Sequence, residues 1–142
     1  MTMLAVSIRQ PWAWAVMYAG KDVENRTEGA AKRMRRGIGQ RVLIHASKTM
    51  FAEDYDCIVA LMRSRNLGEP PKMDDLDAGA GCVIGSAVIV GIIDPAVGHK
   101  SPWYKGRSGL VLADPKPCAP MPLKGQLGLY DSGIATVRHI RR

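Results

Sequence analysis

The 142 residues are 46% hydrophobic, with no apolar run long enough to span a bilayer and no basic start followed by an apolar stretch. One cytoplasmic domain covering 1–142, with its own core and neither membrane segment nor export signal, is therefore expected. Cys57, Cys82 and Cys118 are dispersed and form no CxxC pair, which argues against a disulfide framework or structural zinc site; the net charge of +7 favours a polyanionic partner.

The chain opens with an apolar run, Met3 to Ile8, suited to a buried strand. Arg9, Gln10 and Pro11 break it. Pro fits the first turn of a helix, where its missing N–H costs nothing, so a short helix is predicted over Trp12 to Ala19, stopped by Gly20. Lys21 to Arg26 follows as a charged turn and strand. With Val23 facing the core, Asp22 and Glu24 face the other way.

Glu28 to Gly39 reads as a mobile, exposed basic loop, and Gln40 to His45 as a strand with Val42 and Ile44 on one face and Leu43 and His45 on the other. Tyr55, Ile58, Val59 and Met62 recur at helical spacing, predicting an amphipathic helix over Phe51 to Arg65. Glu69 to Gly81 is a loop with one short helical turn around Met73 to Leu76. Cys82 to Ile93 is apolar and β-branched, a central strand that its glycines bend.

Val97 to Arg107 is a polar loop centred on Trp103 and Tyr104. Gly109 to Asp114 is a strand, and the proline-rich stretch Pro115 to Pro122 an edge segment or extended connector. Short strands are expected at Gly125 to Tyr130 and Ile134 to Ile140. Many short strands curved by glycines, with two main helices, predict an α+β fold: a small β-barrel of mostly antiparallel strands with the helices packed outside.

Several residues suit chemistry. Lys21 and Glu24 have the composition of an acid/base pair, or of an ion pair closing the turn. Arg26 can bind a phosphate or carboxylate with its planar fork, or pair with its acidic neighbours. His45 is a general-base candidate. Ser47 suits a helix cap better than a nucleophile, and Lys48 suits phosphate contact. No GxSxG elbow or Ser-His-Asp set is visible. Trp103 and Tyr104 are candidates to stack on a base, with plugging the barrel end as the alternative for Trp103. His45, His99 and His139 lack metal-ligand spacing; Mg²⁺ held by Asp22 and Glu24 is an option that nothing in the spacing demands, so no metal or cofactor is assigned.

The segments Ser7 to Trp14 (SIRQPWAW), Gly20 to Thr27 (GKDVENRT) and Gly39 to Lys48 (GQRVLIHASK) resemble the ASCH domain family. Ser101-Pro102-Trp103, Gly109 to Ala113 and Lys124 to Leu129 extend the resemblance over nearly the whole chain. It implies a PUA-like β-barrel with a cleft, linked to RNA binding and RNA metabolism, with some members acting as amidohydrolases on acetylated cytidine or as ribonucleases. The amidohydrolase branch carries Lys-x-x-Thr and a downstream Glu. Here the match is Lys21-x-x-Glu24, Thr27 lies three residues further on, and Asp94 is the acid nearest the central strand.

The combined expectation is an RNA-binding domain, for single-stranded or structured RNA. Gln10, Trp12, Lys21, Glu24, Arg26, His45, Ser47, Lys48, Trp103 and Tyr104 would line its cleft. Lys32, Arg33, Arg35, Arg36, Arg41, Arg141 and Arg142 would hold the phosphate backbone. The alternative is a hydrolase on RNA or a modified nucleoside, with Lys21, Glu24 and Lys48 as catalytic candidates.

Overall fold

The structure, a computed structural model, describes residues 1–140, so Arg141 and Arg142 of the expected basic tail lie outside the described residues. The first apolar run forms β1 (Leu4–Gln10), which turns through Pro11 into α1 (Trp12–Tyr18). Gln10 Oε1 accepts the Trp14 N–H at 2.9 Å, supplying a partner for a donor that has none inside the helix. Gly20, at φ +71°, reverses the chain into β2 (Val23–Arg26).

The segment read as a basic loop is instead ordered as α2 (Glu28–Arg33) and a 3-10 turn at Arg35–Gly37. Thr27 caps α2 by accepting the Ala30 N–H at 3.2 Å, and Glu28 pairs with Lys32 one turn on at 2.9 Å. Burial of Ala31 and Met34 then holds the segment against the sheet. Its polar composition hid this single apolar stripe.

Next come β3 (Arg41–Met50), α3 (Ala52–Ser64), α4 (Met73–Asp77), β4 (Cys82–Ile92), β5 (Ser108–Pro122) and β6 (Leu129–Asp131). Among the described residues the six strands form one mixed sheet in the order β2-β5-β4-β3-β1-β6. The α+β expectation holds, but the barrel does not: β2 and β6 stand at opposite edges, so the sheet stays open. β1 and β3 run parallel, joined by the long connection through α1, β2 and α2, and the other neighbours are antiparallel. Bulges between β3 and β4, and at three places between β4 and β5, bend the sheet without closing it.

Side chains alternate across the strands as their period requires. Val42 and Ile44 enter the main core with Val6, Ile8, Ile89 and Leu110, whereas Leu43 joins Ala5, Val83 and Tyr130 in another cluster. Trp103 packs with Ala15, Val23, Ile58 and Met62 in a third cluster. The proline-rich stretch is not separate: it continues β5 past Asp114, at φ 50°. β2 covers only Ser108 to Val111, so the edge beyond carries prolines without losing ladder bonds. No strand forms at Ile134 to Ile140; an isolated bridge pairs Cys118 with His139, and the Ile140 N–H donates to the Pro117 carbonyl at 2.8 Å. β6 likewise begins only at Leu129. Among the described residues, no helix is long and apolar enough to cross a membrane. Cys118 is buried, which pushes its thiol above the usual range, while Cys57 and Cys82 are half-buried.

His139 anchors the last described segment. Ser86 Oγ accepts from Arg41 Nη1 at 3.0 Å, so its own proton is free for His139 Nε2, 2.8 Å away. Burial first, then the Arg41 and Lys116 charges, hold His139 below its ordinary 6.5, with Asp114 opposing. The unfolded chain therefore takes up the proton first as pH falls. The stabilising contribution is full above 6.5 and is lost as pH drops through the lowered folded value. Thermal melts across this window should show the wild type losing more stability than His139→Gln; equal losses would remove His139 as the cause.

Candidate functional site

Two clefts flank β1. The first, of about 360 Å³, is walled by Ser7 and Arg9 from β1, Trp12 from α1, Lys21 from the turn, and Glu24 to Arg26 from β2. Asp54 and Cys57 of α3 close one side, and Trp103 and Lys105 of the β4–β5 loop another.

A buried ion cluster forms its floor. Lys21 Nζ donates to Glu24 Oε1 at 3.0 Å and to the Val23 carbonyl, and Arg26 Nη2 lies 3.1 Å from Glu24 Oε2. Arg26 Nη2 also donates to the Ser7 carbonyl at 2.8 Å, tying the edge strand β2 to central β1. The Lys21 and Glu24 side chains are 4% and 12% exposed, so these charges are held mainly by one another. Lys21 Nζ stands 5.8 Å from the Trp12 ring centroid, a cation–π approach. Arg26 Nε is buried with no hydrogen-bond partner.

The rim is fixed by Asn25. Its Nδ2 donates to the Trp103 carbonyl and its Oδ1 accepts the Lys105 N–H, both at 2.9 Å, which pins the β4–β5 loop beside the floor. Arg9 pairs with Asp54 at 3.0 Å and lies 5.1 Å from the Phe51 ring centroid. Lys105 Nζ approaches Cys57 Sγ at 3.8 Å.

The second cleft, about 920 Å³, holds His45, Ser47 and Lys48 from β3, Gly81 and Cys82, and the stretch from Pro122 to Leu127; Ser7 lines it too. Ser47 Oγ is buried without a partner. It caps no helix, because β3 runs on to Met50 and α3 starts after Phe51 with no side-chain cap.

The residues expected in one cleft are thus divided. Trp12, Lys21, Glu24, Arg26 and Trp103 meet in the first, and His45, Ser47 and Lys48 in the second. Lys48 does not join Lys21 and Glu24. Gln10 is buried and binds the α1 backbone instead of facing either cleft. Tyr104 lines neither; its hydroxyl donates to the Arg107 carbonyl. Trp103 is 4% exposed, so only a small part of it faces the first cleft. Trp14 packs with the Trp103 cluster and leaves the cleft to Trp12.

Among the basic residues, Lys32, Arg33, Arg35 and Arg36 are exposed. Lys32 pairs with Glu28, and Arg36 Nη2 donates to the Leu129 carbonyl at 2.6 Å. Arg41 is half-buried and committed to Ser86 and Asp114. The Asp22 and Glu24 carboxylates are also engaged: Ser101 donates its hydroxyl to Asp22 Oδ1, and Glu24 holds Lys21 and Arg26. Among the described residues, no group of three metal-ligating side chains occurs.

The sequence reading missed Ser7, Arg9, Asn25, Asp54, Cys57 and Lys105 as cleft residues. Asp54 and Cys57 lie one turn apart on α3, where an acid and a thiol read only as part of an amphipathic helix. Asn25 stood between two residues already singled out and gave no separate signal.

No family model matches the chain, and no curated protein matches it. Solved structures similar to this chain include two crystal structures of mutant forms of the ZmASCH protein from Zymomonas mobilis. They are 15% and 14% identical, cover 92% of this chain each and 87% and 90% of their own, with TM-scores of 0.49 and 0.48. Both carry the name of the ASCH family, which this sequence resembles.

Two substitutions probe the floor. Glu24→Ala strands two cations, one of them buried, and should cost about 3–5 kcal/mol. Chemical denaturation reads this, and a loss below about 1 kcal/mol would mean the pair is solvated. Gly109 lies opposite Asn25 in β5, where an added Cβ would come 2.5 Å from the Glu24 carbonyl oxygen and 3.3 Å from Asn25 Cα. Gly109→Ala should therefore push β2 outward and lower stability by about 1–3 kcal/mol; a melting temperature equal to wild type would contradict that close approach.

Proposed function

We propose that this chain acts as a single RNA-binding domain in RNA metabolism, with the first cleft taking one nucleotide. The observation that carries this reading is the lining of that cleft. Four cations, Arg9, Lys21, Arg26 and Lys105, face two carboxylates, Glu24 and Asp54, around the Trp12 ring. The surplus of positive charge suits a phosphate, and the ring offers a π-face to a base. Glu24 keeps the inner cations in place, so the excess is presented from fixed positions.

Lys105 is exposed at the rim and suits a phosphate, and the exposed Lys32, Arg33 and Arg35 suit a more distant stretch of backbone. Arg36 and Arg41 contribute less, since each is tied to a group of the sheet, whereas Lys32 is held only by its exposed helix neighbour Glu28. The reading needs no metal or cofactor. The hydrolase alternative with Lys21 and Glu24 draws less support: Lys21 donates to Val23 and Glu24, and Lys48 stands in the other cleft.

Binding to a single-stranded oligonucleotide should weaken steeply as salt rises, because each phosphate contact releases counterions. Lys105→Gln should lower affinity for all sequences alike and shrink the logarithmic salt slope by about 0.7. Trp12→Leu should cost about 1–3 kcal/mol of affinity, with circular dichroism confirming the fold. Fluorescence anisotropy measures all three; no binding at low salt, or a flat salt response, would sink the proposal.

A further inference from the structure

Ser7 is the residue shared by both clefts, and its hydroxyl sits in a hydrogen-bond chain with one consistent direction. His45 Nε2 lies 2.7 Å from the Leu123 carbonyl, which can only accept, so the ring carries its proton on Nε2. In the neutral imidazole Nδ1 is then bare, 2.9 Å from Ser7 Oγ, and Ser7 donates to it. The Tyr130 hydroxyl, 3.0 Å from Ser7 Oγ, then donates to the serine oxygen. A hydroxyl against the free nitrogen of an imidazole, whose far side is fixed by a third group, is the arrangement of an activated nucleophile.

The surroundings fit the same use. Ser7 is half-buried, whereas His45 is 2% exposed and so shielded from water. Gly125 lies directly over the pair: a Cβ there would come 2.9 Å from His45 Cε1 and 3.2 Å from Ser7 Oγ. A larger residue would cover the hydroxyl. One neighbouring cleft is cationic, and the other offers Pro122, Leu123 and Leu127.

We propose that Ser7 is a nucleophile with His45 as its general base, acting on carboxylic esters that join an apolar acyl group to an anionic alcohol such as a nucleotide. The acyl group occupies the second cleft and the alcohol the first. The placement of the alcohol rests on the nucleotide reading above; the dyad itself does not. Ser7 Oγ attacks the carbonyl carbon and its proton passes to His45 Nδ1. The bond from that carbon to the alcohol oxygen breaks, and the alcohol leaves with the proton from Nδ1. Water then attacks the acyl-serine, passes its proton to Nδ1, and the ester bond to Oγ breaks as Oγ regains the proton. Tyr130 is a positioning residue that fixes the serine oxygen.

The test uses p-nitrophenyl butyrate, an ester with an apolar acyl group and no nucleotide. Wild-type protein should release p-nitrophenolate in a burst and carry one butyryl group on the peptide containing Ser7. Ser7→Ala, folded by circular dichroism, should do neither. Ser7 should also react about a hundredfold or more faster in the folded protein than in urea, as expected for base assistance. No butyryl on Ser7, or equal labelling folded and unfolded, overturns the dyad. RNA binding by the wild type is measured in parallel. RNA bound with Ser7 unlabelled overturns the dyad alone, whereas Ser7 labelled without RNA bound supports the dyad and overturns the nucleotide reading.

Discussion

The carboxylate of Glu24 is the interaction on which the site depends. A charge taken out of water has to be paired, and here one carboxylate serves both Lys21 and Arg26. The consequence is architectural. β2 has four residues and lies at the sheet edge, where its ladder to β5 is short. Arg26, held by Glu24, reaches back to the Ser7 carbonyl on β1, so the ion cluster joins two strands that the ladder leaves apart. The same cluster forms the floor of the first cleft, so disturbing it disturbs both stability and the shape of that cleft.

Position within the sheet explains why the clefts differ. β1 is flanked by β3 and β6, and its last residues approach α1 and the turn before β2. On one side β2, α3 and the β4–β5 loop bring charged groups and Trp12 together. On the other, the end of β3 meets the chain between β5 and β6, which is glycine- and leucine-containing. Ser7 belongs to both because it lies where these surfaces converge.

The excess positive charge is divided between structure and surface. Arg26, Arg36 and Arg41 donate to groups of their own chain, and Lys21 is buried. Lys105, Lys32, Arg33 and Arg35 remain exposed. Net charge therefore overstates what is free for a partner, since a guanidinium satisfied by backbone carbonyls is already part of the fold.

Much of this was legible along the chain. Local pattern settled α1, α3, β4 and the alternation of Val42, Leu43 and Ile44, because a helical or strand period is a property of neighbouring residues. The Lys21–Glu24 pair was legible for the same reason: its members are three residues apart. Other features depended on partners far along the chain. α2 formed because its small apolar stripe found the sheet, and Pro115 to Pro122 joined β5 because β4 paired with it while β2 did not reach that far. Whether the strands closed into a barrel depended on β2 and β6 meeting, which no local pattern encodes. Likewise, Ser7 is 38 residues from His45 and 123 from Tyr130, so nothing in its own segment marked it. Composition and spacing determined the charge of the protein and the elements with a clear period of their own, such as α1, α3 and β4; the tertiary structure alone decided which residues share a cleft, because the contacts that build it span most of the chain.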